Sequence, residues 1–254
     1  MVVDSSDDGT AATIRSRWPD VDLIVLPTRT LPGRARNLAA ERARTDLLAF
    51  LDADCAPVPG WLDALVDGLG PDDVGVAGAI GNGTPSSPVG TAGWLLEFSE
   101  WHPGRRGRPG HAASATLLVR RSDFMAAGGF REDLFPGEDT YLTRPWAAAG
   151  RLAFAPSARV DHANRTGVAD YLRHQRLLGR CFAELCASSA FPHSRFGRRP
   201  WALAGGVLRV AALTLRLRGL PRDLATAAAL SPLLLAGLFS WTTGVWSEAG
   251  RRRP

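Results

Sequence analysis

Short apolar runs alternate with segments of helical pattern through the first two-thirds of the chain. The apolar runs are predicted strands at residues 1–3, 21–26, 47–51, 74–80 and 115–119. The run LLAFL at residues 47–51 is apolar throughout, which is typical of a strand covered on both faces. Helical pattern occurs at residues 10–17, 34–44, 61–69 and 138–149. This alternation predicts an α/β fold with a doubly wound, mainly parallel sheet, in which ligands bind at the carboxyl ends of the strands.

The last third of the chain has a different pattern. Residues 224–247 carry no charge, and at about 1.5 Å per residue a helix of this length can cross a ~30 Å hydrocarbon core. Residues 201–217 are apolar except for Arg209 and Arg216, which share one helical face, so this segment is a predicted interfacial helix. The alternative for residues 224–247 is a buried helix, because Pro232 and four hydroxyl side chains weaken the prediction of a transmembrane segment.

The net charge changes sign near the start of this last third of the chain. The chain has 30 basic residues, all arginine, and 25 acidic ones, yet residues 1–170 carry a net −5 and residues 171–254 a net +10. A nucleic-acid-binding protein carries its positive charge on the folded domain, so the tail's charge favours an anionic membrane and argues against nucleic acid. We therefore predict a folded domain over residues 1–190 and a basic, helical, membrane-associated tail over residues 191–254. The acidic start, without a signal peptide, predicts the cytoplasmic face of the membrane.

Two carboxylates, Asp52 and Asp54, directly follow the apolar run at residues 47–51. Strand alternation points both side chains the same way. Together they can hold one Mg²⁺ or Mn²⁺ ion that also takes diphosphate oxygens. The alternative is a surface turn with two solvated acids.

Polar side chains also follow the first strand and begin the second helix. Asp4 and Asp8 come directly after residues 1–3, where an aspartate can accept a hydrogen bond from a base or a ribose; the alternative is a helix N-cap. Arg34 and Arg36 lie at a helix start, which suits a diphosphate, unless they simply face solvent.

Two later positions complete the candidate chemistry. Glu138 and Asp139 open a helix, where a carboxylate can act as a general base or merely satisfy the helix dipole. His162 follows a strand-like stretch and is either a third metal ligand or a packed imidazole. Residues 81–110 are rich in glycine and proline and predict an irregular loop that offers Trp94 and Trp101 to an acceptor.

In combination these motifs resemble family 2 glycosyltransferases of the GT-A fold. The matching stretches are VVDSSDDGT (2–10), GRARNLAAERARTDLLAFLDAD (33–54), LLVRRSDFMAAGGFRE (117–132) and GEDTYLTRPWAAAGRLAFAPSARVDH (137–162). The apolar tail is similar to that of membrane-associated members. The resemblance implies a metal-dependent, inverting transfer of a sugar from a nucleotide diphosphate sugar, most often a UDP-sugar, to an acceptor hydroxyl. It further implies a role in cell-envelope polysaccharide or glycolipid synthesis, with a lipid-linked acceptor.

The resemblance also assigns roles to individual residues. It assigns nucleotide-sugar binding to Asp4, Asp8, Arg36 and Asp52. It assigns metal binding to Asp54, the more direct ligand, together with Asp52 and His162. Asp139 matches the catalytic base, and Glu138 is a supporting or acceptor-binding acid.

One departure from the family concerns the beginning of the chain. Family members have an apolar strand and a helix before the strand that holds Asp4, whereas Met1 here lies inside that strand. We therefore expect an N-terminal truncation, either because the true start lies upstream or because the chain is an inactive copy. A nucleotidyltransferase on a related sheet is a weaker alternative, because the first strand lacks a glycine-rich loop with a basic residue.

Overall fold

The computed structural model describes residues 1–188 and 201–251. Within these ranges the strands are β1 Val2–Asp4, β2 Leu23–Val25, β3 Leu47–Leu51, β4 Cys55–Pro57, β5 Gly75–Asn82, β6 Thr116–Arg120 and β7 Leu152–His162. The helices are α1 Thr10–Arg17, α2 Pro32–Arg42, α3 Trp61–Asp67, α4 Pro88–Phe98, α5 Arg121–Ala126, α6 Glu138–Ala148, α7 Val168–Ala187, α8 Ala202–Leu217, α9 Pro221–Ala229 and α10 Ser231–Arg251.

The strands form two sheets. β1 and β2 make a two-stranded parallel sheet, and the others form a five-stranded sheet in the order β3-β6-β5-β7-β4. In the larger sheet only β5 and β7 are parallel, while β3–β6, β5–β6 and β4–β7 are antiparallel. The α/β class is confirmed, but the prediction of a mainly parallel sheet is wrong. A strand that follows a long connection, as β6 does, can enter the sheet in either direction, and apolar periodicity does not carry that information.

The core of the larger sheet is built from small and aromatic residues. β5, with the sequence GVAGAIGN, is buried along nearly all its length between β6 and β7. On one side Phe50 packs against Phe124 and Phe130, with ring centroids 5.4 and 5.1 Å apart. This aromatic cluster fixes the end of β3, from which the candidate carboxylates follow.

The segment at residues 81–110 differs in part from its prediction. It contains α4 and a short 3-10 turn, Ser99–Trp101, in place of a wholly irregular acceptor loop. Trp94 and Trp101 are buried, and their indole N–H groups donate to the carbonyls of Ile80 (2.9 Å) and His111 (3.0 Å). Pro88, Gly90 and Gly93 lie in α4, which is largely buried because it packs against the tail helices. Residues 83–87 and 102–110 have no regular secondary structure, as predicted.

The tail helices pack on the folded domain. Leu213 and Leu217 of α8 and Leu238 of α10 share one apolar cluster with Leu95 of α4 and Tyr171 of α7. Tyr171 also donates its hydroxyl hydrogen to the main-chain carbonyl of Leu233, at 3.0 Å. The predicted domain boundary at residue 190 lies outside the described residues.

The segment predicted to span a membrane is not one continuous helix. The chain bends by 75° between α9 and α10, where Ser231 and Pro232 begin a new helix. Within residues 1–188 and 201–251, no single helix has the length and apolar composition for a membrane span, although α9 and the Ser231–Ala249 part of α10 meet the test as a bent pair.

Arg209 and Arg216 lie on one face of α8, as predicted, but that face is turned toward the protein. Arg209 donates to the carbonyl of Leu96 at 2.9 Å and lies over the Trp241 ring, 4.9 Å from its centroid. Arg216 forms an ion pair with Glu100. The outward face of α8 is therefore apolar.

The close packing of α7 against α10 depends on a glycine of α7. A Cβ at Gly179 would overlap the main-chain carbonyl of Trp241 in α10, whereas a Cβ at Gly93 of α4 would meet the Tyr171 ring at an ordinary 3.6 Å. We expect Gly179→Ala to lower the free energy of unfolding by about 1–3 kcal/mol, since overpacking forces the helices apart. Gly93→Ala is the matched control and should be neutral or stabilising. Urea unfolding of both variants tests this, and equal stability of the two would contradict the packing.

Candidate functional site

Two strand ends meet at one edge of the larger sheet. β4 pairs antiparallel with β7 so that Cys55 lies opposite His162. Asp54 precedes β4, and its Oδ2 lies 3.3 Å from His162 Nε2. The ligand atoms of Asp54, Cys55 and His162 all lie within 4.8 Å of one another. The strand pairing therefore brings His162 to Asp54 and Cys55, which are more than a hundred residues away in the sequence, and Cys55 was not among the predicted site residues.

Asp54 and His162 stabilise each other's charged forms. The hydrogen bond from His162 lowers the pKa of Asp54 against the effect of partial burial. Burial disfavours the charged imidazole, but the contact with Asp54 still raises the pKa of His162. His162 Nδ1 lies 3.1 Å from Asn164 Oδ1, which holds the ring with its Nε2 toward Asp54. The His162 ring is thus oriented toward Asp54.

Arg36 joins the end of β3 to the start of α6. Its guanidinium forms ion pairs with Asp52 and with Glu138, and it lies 5.6 Å from the Phe130 ring centroid. Burial raises the pKa of Asp52, although Arg36 opposes the shift. One arginine thus holds two carboxylates from separate loops in a half-buried cluster.

Asp139 lies on the first turn of α6, which begins after Gly137 in the left-handed region at φ +114°. Its Oδ2 accepts from the main-chain N–H of Ser114 at 3.1 Å, and its Oδ1 accepts from Thr140. Each carboxylate oxygen can accept a further hydrogen bond. The charge of Asp139 also raises the pKa of Asp52, so the two carboxylates belong to one electrostatic site.

The first 123 residues, which contain Asp4, Asp8, Arg36, Asp52 and Asp54, match the model of the family described as Glycosyl transferase family 2. Residues 1–123 belong to glycosyl transferase family 2.

Curated relatives and a solved structure agree with this membership. The chain is 29% identical over 194 residues to the pre-mycofactocin glycosyltransferase of Mycobacterium tuberculosis, a match covering 70% of this chain and 41% of the relative. It is 28% identical over 158 residues to the probable N-acetylgalactosaminyltransferase 9 of Caenorhabditis elegans, covering 53% of this chain and 27% of the relative. The chain thus spans well under half the length of these relatives.

The solved structure of the mannosyltransferase PcManGT from Pyrobaculum calidifontis, in complex with GDP-Man and Mn²⁺, has the same fold. It superposes with a TM-score of 0.56 at 22% identity, covering 99% of this chain and 76% of that one. At this identity the likeness establishes the GT-A fold.

In this chain, six of the eight predicted site residues lie close together: Arg36, Asp52, Asp54, Glu138, Asp139 and His162. Asp8 lies in the turn before α1, where its Oδ1 accepts from Ser6 Oγ and from the N–H and hydroxyl of Thr10, and its nucleotide role stays a prediction. These hydrogen bonds lower the pKa of Asp8 to about 2. Asp4 ends β1, where its backbone pairs with Val25, and its nucleotide role stays a prediction.

The donor set of the metal cluster suits a divalent cation. Its carboxylate is a ligand of Mg²⁺ and Mn²⁺, and its imidazole is a common ligand of transition-metal ions. Burial raises the pKa of the Cys55 thiol far above its usual range, and soft sulfur ligands are not preferred by Mg²⁺ or Mn²⁺. Asp52 lies outside the cluster with Oδ1 bonded to Arg36. Asp54 and His162 are thus the residues of the site best placed to hold an ion.

Glu138 gives the site a pH-dependent stability. Burial and the charge of Asp139 raise the pKa of Glu138 to about 7, which Arg36 only partly opposes. Because this folded-state pKa exceeds the ordinary value of 4.5, the stabilisation is complete below about pH 4.5 and is lost as the pH rises through about 7. We expect the free energy of unfolding to fall by about 1–3 kcal/mol over that range.

The Glu138→Gln variant should lack this pH-dependent part of the free energy of unfolding, since glutamine does not ionise. Urea unfolding between pH 4.5 and 8 measures the free energy at each pH, and Glu41→Gln, at an exposed position of α2, is the control. If wild type and Glu138→Gln show the same pH slope, the raised pKa is refuted.

Proposed function

We propose that this protein is an inverting glycosyltransferase that moves a sugar from a nucleotide diphosphate sugar to an acceptor hydroxyl. The main support is that a candidate metal pair and a candidate base lie in one cluster of charged side chains. Asp54 contacts His162. Arg36 forms ion pairs with Asp52, which lies beside that pair, and with Glu138, which precedes Asp139. Support comes from the names of the relatives, which are glycosyltransferases, and from the complex of PcManGT with GDP-Man and Mn²⁺. A UDP-sugar is the first donor to test.

Asp139 acts as the general base. Its carboxylate accepts the proton of the acceptor hydroxyl while that oxygen forms a bond to the anomeric carbon and the nucleotide diphosphate departs from the opposite face. Hydrogen bonds from Ser114 and Thr140 hold the carboxylate in place for this transfer. Arg36 fixes Glu138 beside Asp139 and fixes Asp52 at the end of β3.

Asp54 and His162 hold the divalent cation, Mn²⁺ or Mg²⁺. When bound, the ion supplies positive charge against the diphosphate leaving group. Asp4 and Asp8, which precede α1, contribute to the nucleotide end of the donor site.

A panel of UDP- and GDP-sugars with Mn²⁺ tests the activity. We expect release of nucleotide diphosphate from at least one donor, and NMR of the product should give the anomeric configuration opposite to that of the donor. A product with retained configuration would contradict the role of Asp139 as a base. Absence of turnover across the panel would contradict the proposed activity.

We also propose that the tail binds the cytoplasmic face of the cell membrane and brings the site to a lipid-linked acceptor of the cell envelope. The outward face of α8 is apolar while its arginines face inward, which reverses the arrangement of a helix exposed to water. On this face Leu203, Val207 and Leu215 are 68–69% exposed, and Phe239 of α10 is 71% exposed. A lipid surface would cover these side chains.

Vesicle flotation tests the membrane proposal. We expect the double variant Val207→Ser/Phe239→Ser to bind phosphatidylglycerol vesicles about tenfold less than wild type, because two large apolar side chains no longer enter the bilayer. Val66→Ser, at a 44% exposed position of α3, is the control. Equal flotation of the double variant and wild type would refute this surface.

A further inference from the structure

An open cavity of about 670 Å³ lies beside the candidate active site and is strongly basic. Its lining includes four arginines and one histidine: Arg165, Arg173, Arg176, Arg180 and His174. Asp170 is the only carboxylate among the lining residues. A cavity with this excess of positive charge attracts an anionic ligand.

Three of these arginines come from one face of α7. Arg173, Arg176 and Arg180 are spaced three and four residues apart, which places them side by side along the helix. Like charges at this spacing destabilise a helix. Arg173 is compensated by Asp170 at 2.5 Å and Arg180 by Glu248 at a longer 3.6 Å. Arg176 makes no salt bridge within the part of the chain that the structure describes, and it is exposed to the cavity.

One end of the cavity follows the metal cluster closely along the chain. The chain runs from His162, at the end of β7, through Asn164 to Arg165, which lines the cavity. Asn164 is held by hydrogen bonds to Asn82 (3.0 Å) and Thr84 (3.1 Å), so this connection has a defined course. A molecule in the cavity therefore lies next to the place where the donor's diphosphate is expected.

We propose that this cavity holds a phosphate or diphosphate group carried by the acceptor, so that the acceptor substrates are phosphorylated molecules. The inference rests on the proposed glycosyl transfer, which requires an acceptor beside the donor site. Arginine suits the ligand because its planar guanidinium makes paired, charge-assisted hydrogen bonds to phosphoryl oxygens. Such a contact would also offset the repulsion among the arginines of α7.

Binding of inorganic pyrophosphate to the full chain, without metal and without donor, tests the cavity. We expect Arg176→Gln to weaken calorimetrically measured binding about tenfold or more, because one charge-assisted hydrogen bond is lost. Arg42→Gln, at an exposed position of α2, is the matched control and should bind as wild type does. The affinity of Arg176→Gln for UDP with Mn²⁺ should stay unchanged, which separates this site from the donor site.

Several outcomes would overturn the proposal. The first is that wild-type protein does not bind pyrophosphate. The second is that Arg176→Gln and Arg42→Gln weaken pyrophosphate binding equally. The third is that Arg176→Gln binds pyrophosphate as tightly as wild type. Loss of phosphatidylglycerol vesicle binding in Arg176→Gln with pyrophosphate binding intact would assign the arginines to the membrane instead. Because no donor is present, the result does not depend on turnover in the nucleotide-sugar panel.

A lipid-borne and a soluble phosphate are distinguished by a second probe. Tighter binding of farnesyl diphosphate than of pyrophosphate, with the same loss in Arg176→Gln, supports a lipid-borne acceptor phosphate. Equal affinities with that same loss support a soluble phosphorylated acceptor.

Discussion

Asp139→Asn should lower kcat by about 10²–10⁴-fold while leaving the affinity for nucleoside diphosphate within about twofold of wild type. Asparagine keeps the size of the side chain and can still accept the hydrogen bond from Ser114, but its amide cannot take a proton from an acceptor hydroxyl. The loss therefore falls on the chemical step. Steady-state rates and a nucleotide titration, made on the same preparation, separate the two effects.

Asp63→Asn is the control for this experiment, since Asp63 is an exposed aspartate of α3 and is not one of the site residues. It should retain wild-type turnover. A kcat for Asp139→Asn within threefold of wild type would remove Asp139 from the role of base. A loss in nucleotide affinity as large as the loss in kcat would instead place Asp139 in donor binding.

Asp54→Ala should weaken Mn²⁺-dependent binding of nucleoside diphosphate by about 100-fold or more. Loss of a residue that only hydrogen-bonds to a metal ligand already lowers metal affinity by about 10–100-fold, and loss of a direct ligand lowers it further. His162→Ala should have a similar effect, since His162 Nε2 lies 3.3 Å from Asp54 Oδ2. Calorimetric titration of UDP and GDP with and without Mn²⁺ measures both variants.

Two further variants define the metal site. Cys55→Ser should change Mn²⁺-dependent affinity little, because soft sulfur ligands are not preferred by Mn²⁺. Asp67→Ala, at the exposed end of α3, is a neutral control. If Asp54→Ala binds nucleotide with unchanged Mn²⁺ dependence, the ion is held elsewhere. If Cys55→Ser loses affinity as Asp54→Ala does, the sulfur is a ligand.

The sequence predicts the elements around the site better than their arrangement. Leu47–Leu51 forms the predicted strand with Asp52 and Asp54 directly after it, because an apolar run bounded by polar residues is a local signal. The direction of β6 and the pairing of β4 with β7 depend on contacts between distant segments. Cys55 was missed for that reason, although it lies beside Asp54 in the sequence.

Two further differences have the same origin. Residues 81–110 contain glycine and proline, which favour loops locally, yet the buried environment between the sheet and the tail makes a helix of Pro88–Phe98. The spacing of Arg209 and Arg216 predicts that they share a face of α8 but not which way it points. Glu97 and Glu100, which precede them by more than a hundred residues, lie near these arginines and turn that face inward.

We propose that Asp54 and His162 hold a divalent ion for transfer from a nucleotide sugar. The most direct test is the rate of nucleotide diphosphate release by wild-type protein across the donor panel, measured with Mn²⁺, with EDTA, and again after Mn²⁺ is restored. We expect turnover of at least one donor, a loss of about 100-fold or more with EDTA, and full recovery on adding Mn²⁺. Turnover that is equal with Mn²⁺ and with EDTA would contradict it.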